Sequence, residues 1–193
     1  RNLYAEHISK TNTGTHNGLI GYTNSSYSGI IENVHVLDIE LAISHNVGGI
    51  IGQLHYGSRI SNCSVTDIRL LDVSTSNINL RIGGIVGYTD NATIENSYVQ
   101  DLNFEINYSS IQGIGGVVGQ ASNPTIQNVY ATGIIKANSQ NVGGIVGRVT
   151  TSINLTNSYS NVNIHTTQGN VSGIIGQLVN SASQVTNTLV LGD

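Results

Sequence analysis

Apolar and polar residues alternate over short stretches of the chain. In segments such as Val65–Leu70 and Val99–Phe104, apolar side chains tend to recur at every second position, which is the period of a β-strand. Ile, Val, Thr and Tyr, which favour strands, are frequent throughout, and no segment keeps a helical stripe for ten residues. The pattern predicts short strands joined by turns that are rich in Gly, Asn and Ser.

A glycine-rich phrase of five residues returns six times, with closing glycines 31, 35, 32, 28 and 29 residues apart. Roughly ten residues later, each copy is followed by an apolar residue and, two positions on, an asparagine. Two phrases that keep their separation through six copies predict a repeat protein. The phrases are Asn17–Gly21, Gly48–Gly52, Gly83–Gly87, Gly115–Gly119, Gly143–Gly147 and Ser172–Gly176; the asparagines are Asn33, Asn62, Asn96, Asn128, Asn157 and Asn187.

Each repeat is too short to bury an apolar face alone, so successive repeats must stack. The chain of 193 residues is therefore predicted to be all-β: a single β-solenoid, β-helix-like, of about six coils with roughly 30 residues per coil. Parallel strands that climb about 4.8 Å per coil would give a rod roughly 30 Å long. One domain, residues 1–193, accounts for the whole sequence.

Two features of the repeat leave its geometry partly open. The third and fourth residues of the glycine phrase, such as Ile50 and Ile51, are both apolar, so either a loop covers one face or a bend turns both inward. The glycines permit positive-φ corners and close approach between coils. The asparagines share strand parity with the apolar residue two before them, so we expect them to point inward as a ladder of buried amides.

The composition and net charge of the chain exclude several classes of function. Only 9% of the residues are charged and the net charge is −4, which excludes a basic groove for nucleic acid and a polybasic membrane patch. No apolar run approaches the roughly 20 residues of a membrane span, so no membrane insertion is expected. The single cysteine, Cys63, cannot form an intrachain disulfide or a thiolate zinc site, and we expect a small residue in a structural column.

Candidate catalytic chemistry is sparse. No two histidines show the spacing of a helical zinc-protease motif, so no catalytic residue, cofactor or metal is expected. Asp38, Asp67 and Asp101 each lie five residues after a repeat asparagine and would stack on consecutive coils. Three interpretations of these aspartates stay open: turn capping, a shared cation, and an acidic column of a polysaccharide-active enzyme. We favour turn capping because Glu40 beside Arg69 already compensates charge.

Recognition surfaces are the other candidates. Tyr27 and Tyr56 each lie six residues before a repeat asparagine, so they would sit one above the other, whether to hold a sugar or to stabilise the solenoid. The excursions Leu71–Arg81 and Glu105–Gly113 leave adjacent coils at one corner, where loops on a rigid scaffold often carry function. The predicted ligand-binding residues are Tyr27, His55, Tyr56, Tyr88, Arg81 and Tyr108.

The phrase Gly83–Gly87 followed by Ile94–Tyr98 resembles the GLUG repeat, and so does Gly143–Gly147 followed by Leu155–Tyr159. The resemblance covers nearly the whole chain. The usual first glycine and the usual tyrosine are replaced at a few positions, namely Asn17, Ser172, His35, Ser64 and Leu189. The resemblance implies a bacterial secreted or cell-surface protein, as in adhesin-like proteins and the non-catalytic regions of immunoglobulin A-cleaving zinc metalloproteases.

We therefore expect an extracellular module, secreted or anchored to the cell surface, that is not an enzyme. It would act as an adhesive or structural scaffold whose partners are a host protein or glycan. The alternatives are a substrate-positioning region of an immunoglobulin A-type metalloprotease and, third, a polysaccharide-active solenoid. Neither terminus resembles a solenoid cap, so a longer extracellular parent with flanking domains is expected.

Overall fold

The computed structural model describes residues 2–11, 14–23, 28–71, 79–108, 111–180 and 182–191. Within these ranges every regular element is a β-strand, and every pairing between strands is parallel. Equivalent residues recur about 31 positions apart over about six turns, which confirms the predicted β-solenoid. Among the described residues no helix could cross a membrane.

Three parallel sheets run the length of the solenoid, and each coil adds to all of them. Sheet 1 contains the strands Leu3–Lys10, Ile30–Glu32, Val34–Ala42, Arg59–Ser61, Ser64–Leu71, Thr93–Ile106, Thr125–Ala137, Asn154–Thr166 and Gln184–Val190. Sheet 2 contains His16–Asn17, Asn46–Gly48, Leu80–Gly83, Ile111–Gly115, Val142–Gly143 and Val171–Ser172. Sheet 3 contains Ile20–Tyr22, Ile51–Leu54, Val86–Asp90, Val118–Ser122, Val146–Val149 and Ile175–Leu178.

The glycine phrase forms the sharp bend between sheets 2 and 3. In the second coil the bend falls at Gly49 and Ile50, so Ile50 and Ile51 are both fully buried, which is the second of the two predicted alternatives. A Cβ on Gly49 would lie 2.8 Å from the Val65 side chain of sheet 1, and one on Gly52 would lie 2.9 Å from the carbonyl oxygen of Asn46. The bend therefore packs against sheet 1, while sheets 2 and 3 touch backbone to backbone.

The prediction that the repeat asparagines Asn33, Asn62, Asn96, Asn128, Asn157 and Asn187 point inward is wrong. All six adopt the left-handed conformation, with φ between 48° and 55°, and all but the half-buried Asn33 are exposed. A left-handed residue adds one position to the strand and reverses the alternation, so the side chain turns outward where sheet 1 bends. Asparagine tolerates this conformation better than other residues with a side chain, which explains its recurrence.

A second left-handed column crosses sheet 1 five residues further on. Its members His7, Asp38, Asp67 and Asp101 have φ of 53° to 56°, and the next coil places Gly133 there with φ 127°. The strands Thr93–Ile106 and Thr125–Ala137 contain both bulge positions, which divide each of them into three segments. The feature that these positions share is thus a left-handed backbone conformation, and not the chemistry of a carboxylate side chain.

Among the described residues, the core is one continuous cluster of buried aliphatic side chains together with Cys63 and one buried aromatic side chain, Phe104. It extends from Val34 to Val162 and fills the space between sheet 1 and the other two sheets. The predicted excursion Glu105–Gly113 is shorter than expected. Glu105 and Ile106 continue a sheet 1 strand, Ile111–Gly113 begin one of sheet 2, and of Leu71–Arg81 the residues 72–78 lie outside the described ranges.

Candidate functional site

An aromatic column runs up the outer face of sheet 1, two residues after the asparagine column. The rings of Tyr98 and Tyr130 stack with centroids 4.7 Å apart and an interplanar angle of 2°, and those of Tyr130 and Tyr159 with 4.8 Å and 6°. Two coils below Tyr98, the rings of Tyr4 and His35 stack at 5.2 Å. Strand register defines the column as Tyr4, His35, Ser64, Tyr98, Tyr130, Tyr159 and Leu189.

Ser64 interrupts this aromatic column. Ser64 is itself buried, with 4% of its surface exposed. A depression of about 380 Å³ lies along this lower part of the column and is lined by Tyr4, Glu6, His35, Val36, Leu37, Ser64, Thr66 and Tyr98. Ser64 Oγ lies 2.9 Å from His35 Nδ1, and Thr66 follows on the same strand at the rim of the depression. The sequence carries a signal for this column, because a tyrosine lies two residues after the repeat asparagine in several repeats.

Three predicted ligand-binding residues meet in a cleft between sheets 2 and 3. The Arg81 guanidinium lies 4.9 Å from the centre of the Tyr88 ring and donates to Gln120 Oε1 at 3.0 Å and to His45 Nε2 at 2.8 Å. It also donates to Asn46 Oδ1, and Asn46 continues the network through Gln53, whose Nε2 lies 2.7 Å from His55 Nε2. The network thus brings Arg81, Tyr88 and His55 together and fills the cleft with their own side chains.

Burial shifts the pKa values of several side chains in this cleft. It lowers the pKa of His16 and of His45, and nearby positive charge, including that of Arg81, lowers both further. Burial also lowers the pKa of the Arg81 guanidinium and raises the pKa of the Tyr88 phenol. Burial, which replaces water with protein groups, is the largest cause of both shifts, and the Asp90 carboxylate raises the pKa of Tyr88 further.

The other predicted ligand-binding residues lie elsewhere. Tyr56 is 65% exposed on the turn that precedes Gly57, and Tyr108 is half-buried against the hydrophobic core. Tyr27 lies outside the described residues, so the proposed pairing of Tyr27 with Tyr56 stays a prediction.

The acidic column is organised around Arg69. Its guanidinium contacts Asp38, donates to Asp67 at 3.0 Å and reaches Glu40 at 3.3 Å, while His7 Nδ1 lies 2.7 Å from Asp38 on the other side. The hydrogen bond to His7 holds the pKa of Asp38 below its usual value, and the same bond raises the pKa of His7. No cluster of three His, Cys, Asp or Glu with metal-binding geometry occurs among the described residues. The charge that a shared cation would supply here comes from Arg69.

The asparagine column carries hydrogen bonds between coils despite its exposure. Asn128 Nδ2 donates to Asn96 Oδ1 at 2.9 Å, and Asn187 Nδ2 donates to Asn157 Oδ1 at 3.1 Å. Cys63, beside this column, is buried with its Sγ 3.2 Å from the Ser61 carbonyl oxygen, and burial raises the pKa of the thiol. A buried thiol held neutral in this way packs as a small apolar residue.

Comparisons with known proteins agree with the repeat pattern. The family described as the GLUG motif matches residues 43–70, 78–104 and 110–136. No curated protein matches the chain. A crystal structure described as that of a "putative immunoglobulin A1 protease" from Bacteroides ovatus shares the fold, with a TM-score of 0.68 at 20% sequence identity. The alignment covers 97% of this chain and 57% of that one. The chain thus contains three GLUG motif repeats within a β-solenoid whose fold the Bacteroides ovatus protein shares.

Proposed function

We propose that this chain is a non-catalytic adhesive module of a bacterial secreted or cell-surface protein, which holds a binding surface on a rigid rod. The aromatic column on sheet 1 carries this proposal. Three tyrosine rings stack within 6° of parallel on an open surface, and their spacing is set by the backbone beneath them. A rigid array of partly exposed tyrosines provides a large contact area at a small cost in conformational entropy.

Its partner is a host glycan or a host extracellular protein. Tyrosine suits either ligand, because its ring packs against apolar surface while its hydroxyl stays available for hydrogen bonds. The solenoid supports such a role through its stiffness, since each coil packs on the next along three sheets.

The test is a binding screen of the chain against immobilised host glycans and extracellular matrix proteins. We expect Tyr98→Ala combined with Tyr130→Ala to reduce binding by about tenfold or more, because the flat contact surface is lost. Tyr56→Ala is the matched control, since it removes an exposed tyrosine from a different surface. Failure of the intact chain to bind any ligand, or equal binding by all variants, would contradict the adhesive role.

A second candidate is a substrate-positioning region of an immunoglobulin A-type metalloprotease. The observation that favours it is the shared fold with the Bacteroides ovatus protein over 97% of this chain. Such a region would bind immunoglobulin A and not immunoglobulin G. Surface plasmon resonance with both immunoglobulins tests this directly, and equal or absent binding would rule the candidate out.

A further inference from the structure

We propose that the cleft between sheets 2 and 3 holds a separate binding site, in which Arg81 and Arg148 take the carboxylate of an acidic sugar. The site lies on other sheets than the aromatic column, so it goes beyond the adhesive role proposed above and does not rest on it. Arg81 lies in the third coil and Arg148 in the fifth, and the fourth coil between them carries Gln112 and Gln120.

The two guanidinium groups reach the fourth coil from opposite sides. Arg81 extends from sheet 2, and its Nε donates to Gln120 Oε1 of sheet 3 at 3.0 Å. Arg148 extends from sheet 3, and its Nη1 donates to Gln112 Oε1 of sheet 2. Burial lowers the pKa of the Arg81 guanidinium, and the positive charge of Arg148 lowers it further. The fold thus brings two like charges together over one coil.

Neither guanidinium has a carboxylate partner within the part of the chain that the structure describes. Arg59 and Arg69, on sheet 1, both form ion pairs with carboxylates. The acceptors of Arg81 and Arg148 are instead amide oxygens and an imidazole nitrogen. The carboxylate of Asp90, at the end of a sheet 3 strand, accepts from a neighbouring asparagine amide at 2.7 Å. A half-buried charge that lacks a counter-ion is unfavourable, and an anionic ligand would supply that counter-ion.

Two buried polar atoms on neighbouring strands at this site have no partner. Arg148 Nε is shielded from solvent and donates to no described residue, and Gln177 Oε1 is equally shielded and accepts from none. Arg148 and Gln177 are register partners, so their Cα atoms lie about 4.8 Å apart. A buried polar atom without a hydrogen bond costs free energy. The site therefore needs an acceptor for Arg148 and, next to it, a donor for Gln177.

A sugar acid meets both requirements. Its carboxylate accepts charge-assisted hydrogen bonds from guanidinium N–H groups, and a ring hydroxyl beside the carboxylate can donate to Gln177 Oε1. A polyanion suits the site less well, because the whole chain carries a net charge of −4 and repels a long run of negative groups. The carboxylate of an acidic peptide brings no ring hydroxyl for Gln177.

The direct test follows the arginine Nε–H signals of the unmodified chain by NMR at constant ionic strength. Methyl glucuronide and the methyl glycoside of N-acetylneuraminate are titrated, and methyl glucoside is the neutral control because it lacks only the carboxylate. We expect the acidic sugars to shift the Arg81 and Arg148 signals at millimolar concentration and the glucoside to leave them unchanged. An N-acetylated aspartate amide that bound as tightly as the sugars would overturn the sugar assignment in favour of an acidic peptide.

Arg148→Gln tests the charge requirement, and we expect it to weaken binding of the acidic sugars by about tenfold or more. Lys136→Gln is the matched control, because it removes the same charge from sheet 1 and should leave the affinity unchanged. Without ligand, Arg148→Gln should melt no lower than the unmodified chain, since it removes a charge that repels Arg81. With an acidic sugar present, the unmodified chain should gain melting temperature and Arg148→Gln should gain little.

Equal affinities of Arg148→Gln and Lys136→Gln for the acidic sugars would overturn the site. Arginine signals that no acidic sugar shifts in the unmodified chain would also overturn it, whether or not Arg148→Gln folds. Either result leaves the adhesive role standing, because that role is decided by the tyrosine variants on sheet 1.

Discussion

At the scale of single residues, backbone conformation explains more of this sequence than burial does. The repeat asparagines recur because sheet 1 needs a left-handed residue where it bends, with φ near 50°. The glycines of the repeat recur mainly because neighbouring backbones leave no space for a Cβ. Both requirements select a residue type at one position in every coil, and both leave a signature in the sequence that resembles a functional motif.

The asparagine column can be tested at Asn96, where φ is 48°. We expect Asn96→Val to lower the free energy of unfolding by about 1–2 kcal/mol, because a β-branched residue resists the left-handed conformation. Asn96→Gly should be much milder, since glycine adopts that conformation freely. Asn103→Val, at an exposed position of the same strand with ordinary φ, is the control for chemical denaturation. If the glycine variant were as damaging as the valine variant, the amide itself would be the stabilising group.

The close approach of the coils is tested at Gly49. An added Cβ would lie 2.5 Å from the Gly84 carbonyl oxygen and 2.8 Å from Val65, and neither neighbour can move without shifting a sheet. We expect Gly49→Ala to cost roughly 3 kcal/mol or more in thermal unfolding experiments. Gly169→Ala is the matched control, because a Cβ there meets no atom within 4 Å. A neutral Gly49→Ala would mean that the bend is looser than its contacts indicate.

At the scale of strands and sheets, the repeat pattern predicted the stacking but not the parity of the side chains. Columns such as Ile60, Ile94 and Ile126 are buried as their two-residue alternation implies. The alternation fails just after them, because it assumes a regular strand and Asn62 and Asn96 are left-handed. The same break accounts for the irregular spacing in Val65–Leu70, where Asp67 is the extra residue.

The continuity of the aromatic column was hidden from the sequence for a related reason. Ser64 departs from the usual tyrosine, and only the register of its neighbours shows that it lies between His35 and Tyr98 in one column. The sequence predicts Arg81, Tyr88 and His55 as ligand-binding residues, but their meeting between sheets 2 and 3 depends on a bend that the sequence left open. Candidate residues can thus be found from a repeat, whereas the contacts between columns require the fold.

The aromatic column should stabilise sheet 1 in proportion to the stacks that each ring makes. Tyr130 stacks on both Tyr98 and Tyr159, whereas Tyr159 stacks on Tyr130. We expect Tyr130→Ala to lower the free energy of unfolding by about 1–3 kcal/mol and Tyr159→Ala by roughly half as much. Urea unfolding followed by circular dichroism measures both. Equal losses would show that area burial, rather than stacking between coils, determines the contribution of these rings.

The cleft between sheets 2 and 3 should make stability sensitive to mild acid. Arg81 can only donate, so His45 Nε2 accepts its hydrogen bond and must be unprotonated there. The pKa values of His16 and His45 are lowered in the fold, so the unfolded chain binds more protons, and stability falls as pH drops through about 6.5. His7, whose pKa is raised, works in the opposite direction: its contribution is present below about 6.5 and is lost as pH rises through its folded pKa.

We therefore expect the melting temperature to fall by a few degrees between pH 7.5 and 5.5. His16→Gln combined with His45→Gln should flatten this dependence. His7→Gln is the control and should steepen it, because it removes the opposing contribution. A dependence that survives the double substitution would place its source outside the cleft.

At the scale of the whole molecule, each coil packs only on its neighbours, so a complete coil should be removable. Deleting residues 120–147 joins Gly119 to Arg148, and register already pairs Gln120 with Arg148, so every column stays aligned. We expect the shortened chain to fold cooperatively with its strand spectrum unchanged, and small-angle scattering should show a rod about 4.8 Å shorter. Deleting 120–137 is the control, because it removes part of a coil and leaves Asn138 where a sheet 3 residue belongs; this chain should unfold. Binding of a host ligand that survives the deletion of 120–147 would show that recognition is local to a few coils, and its loss would show instead that the ligand spans more of the aromatic column.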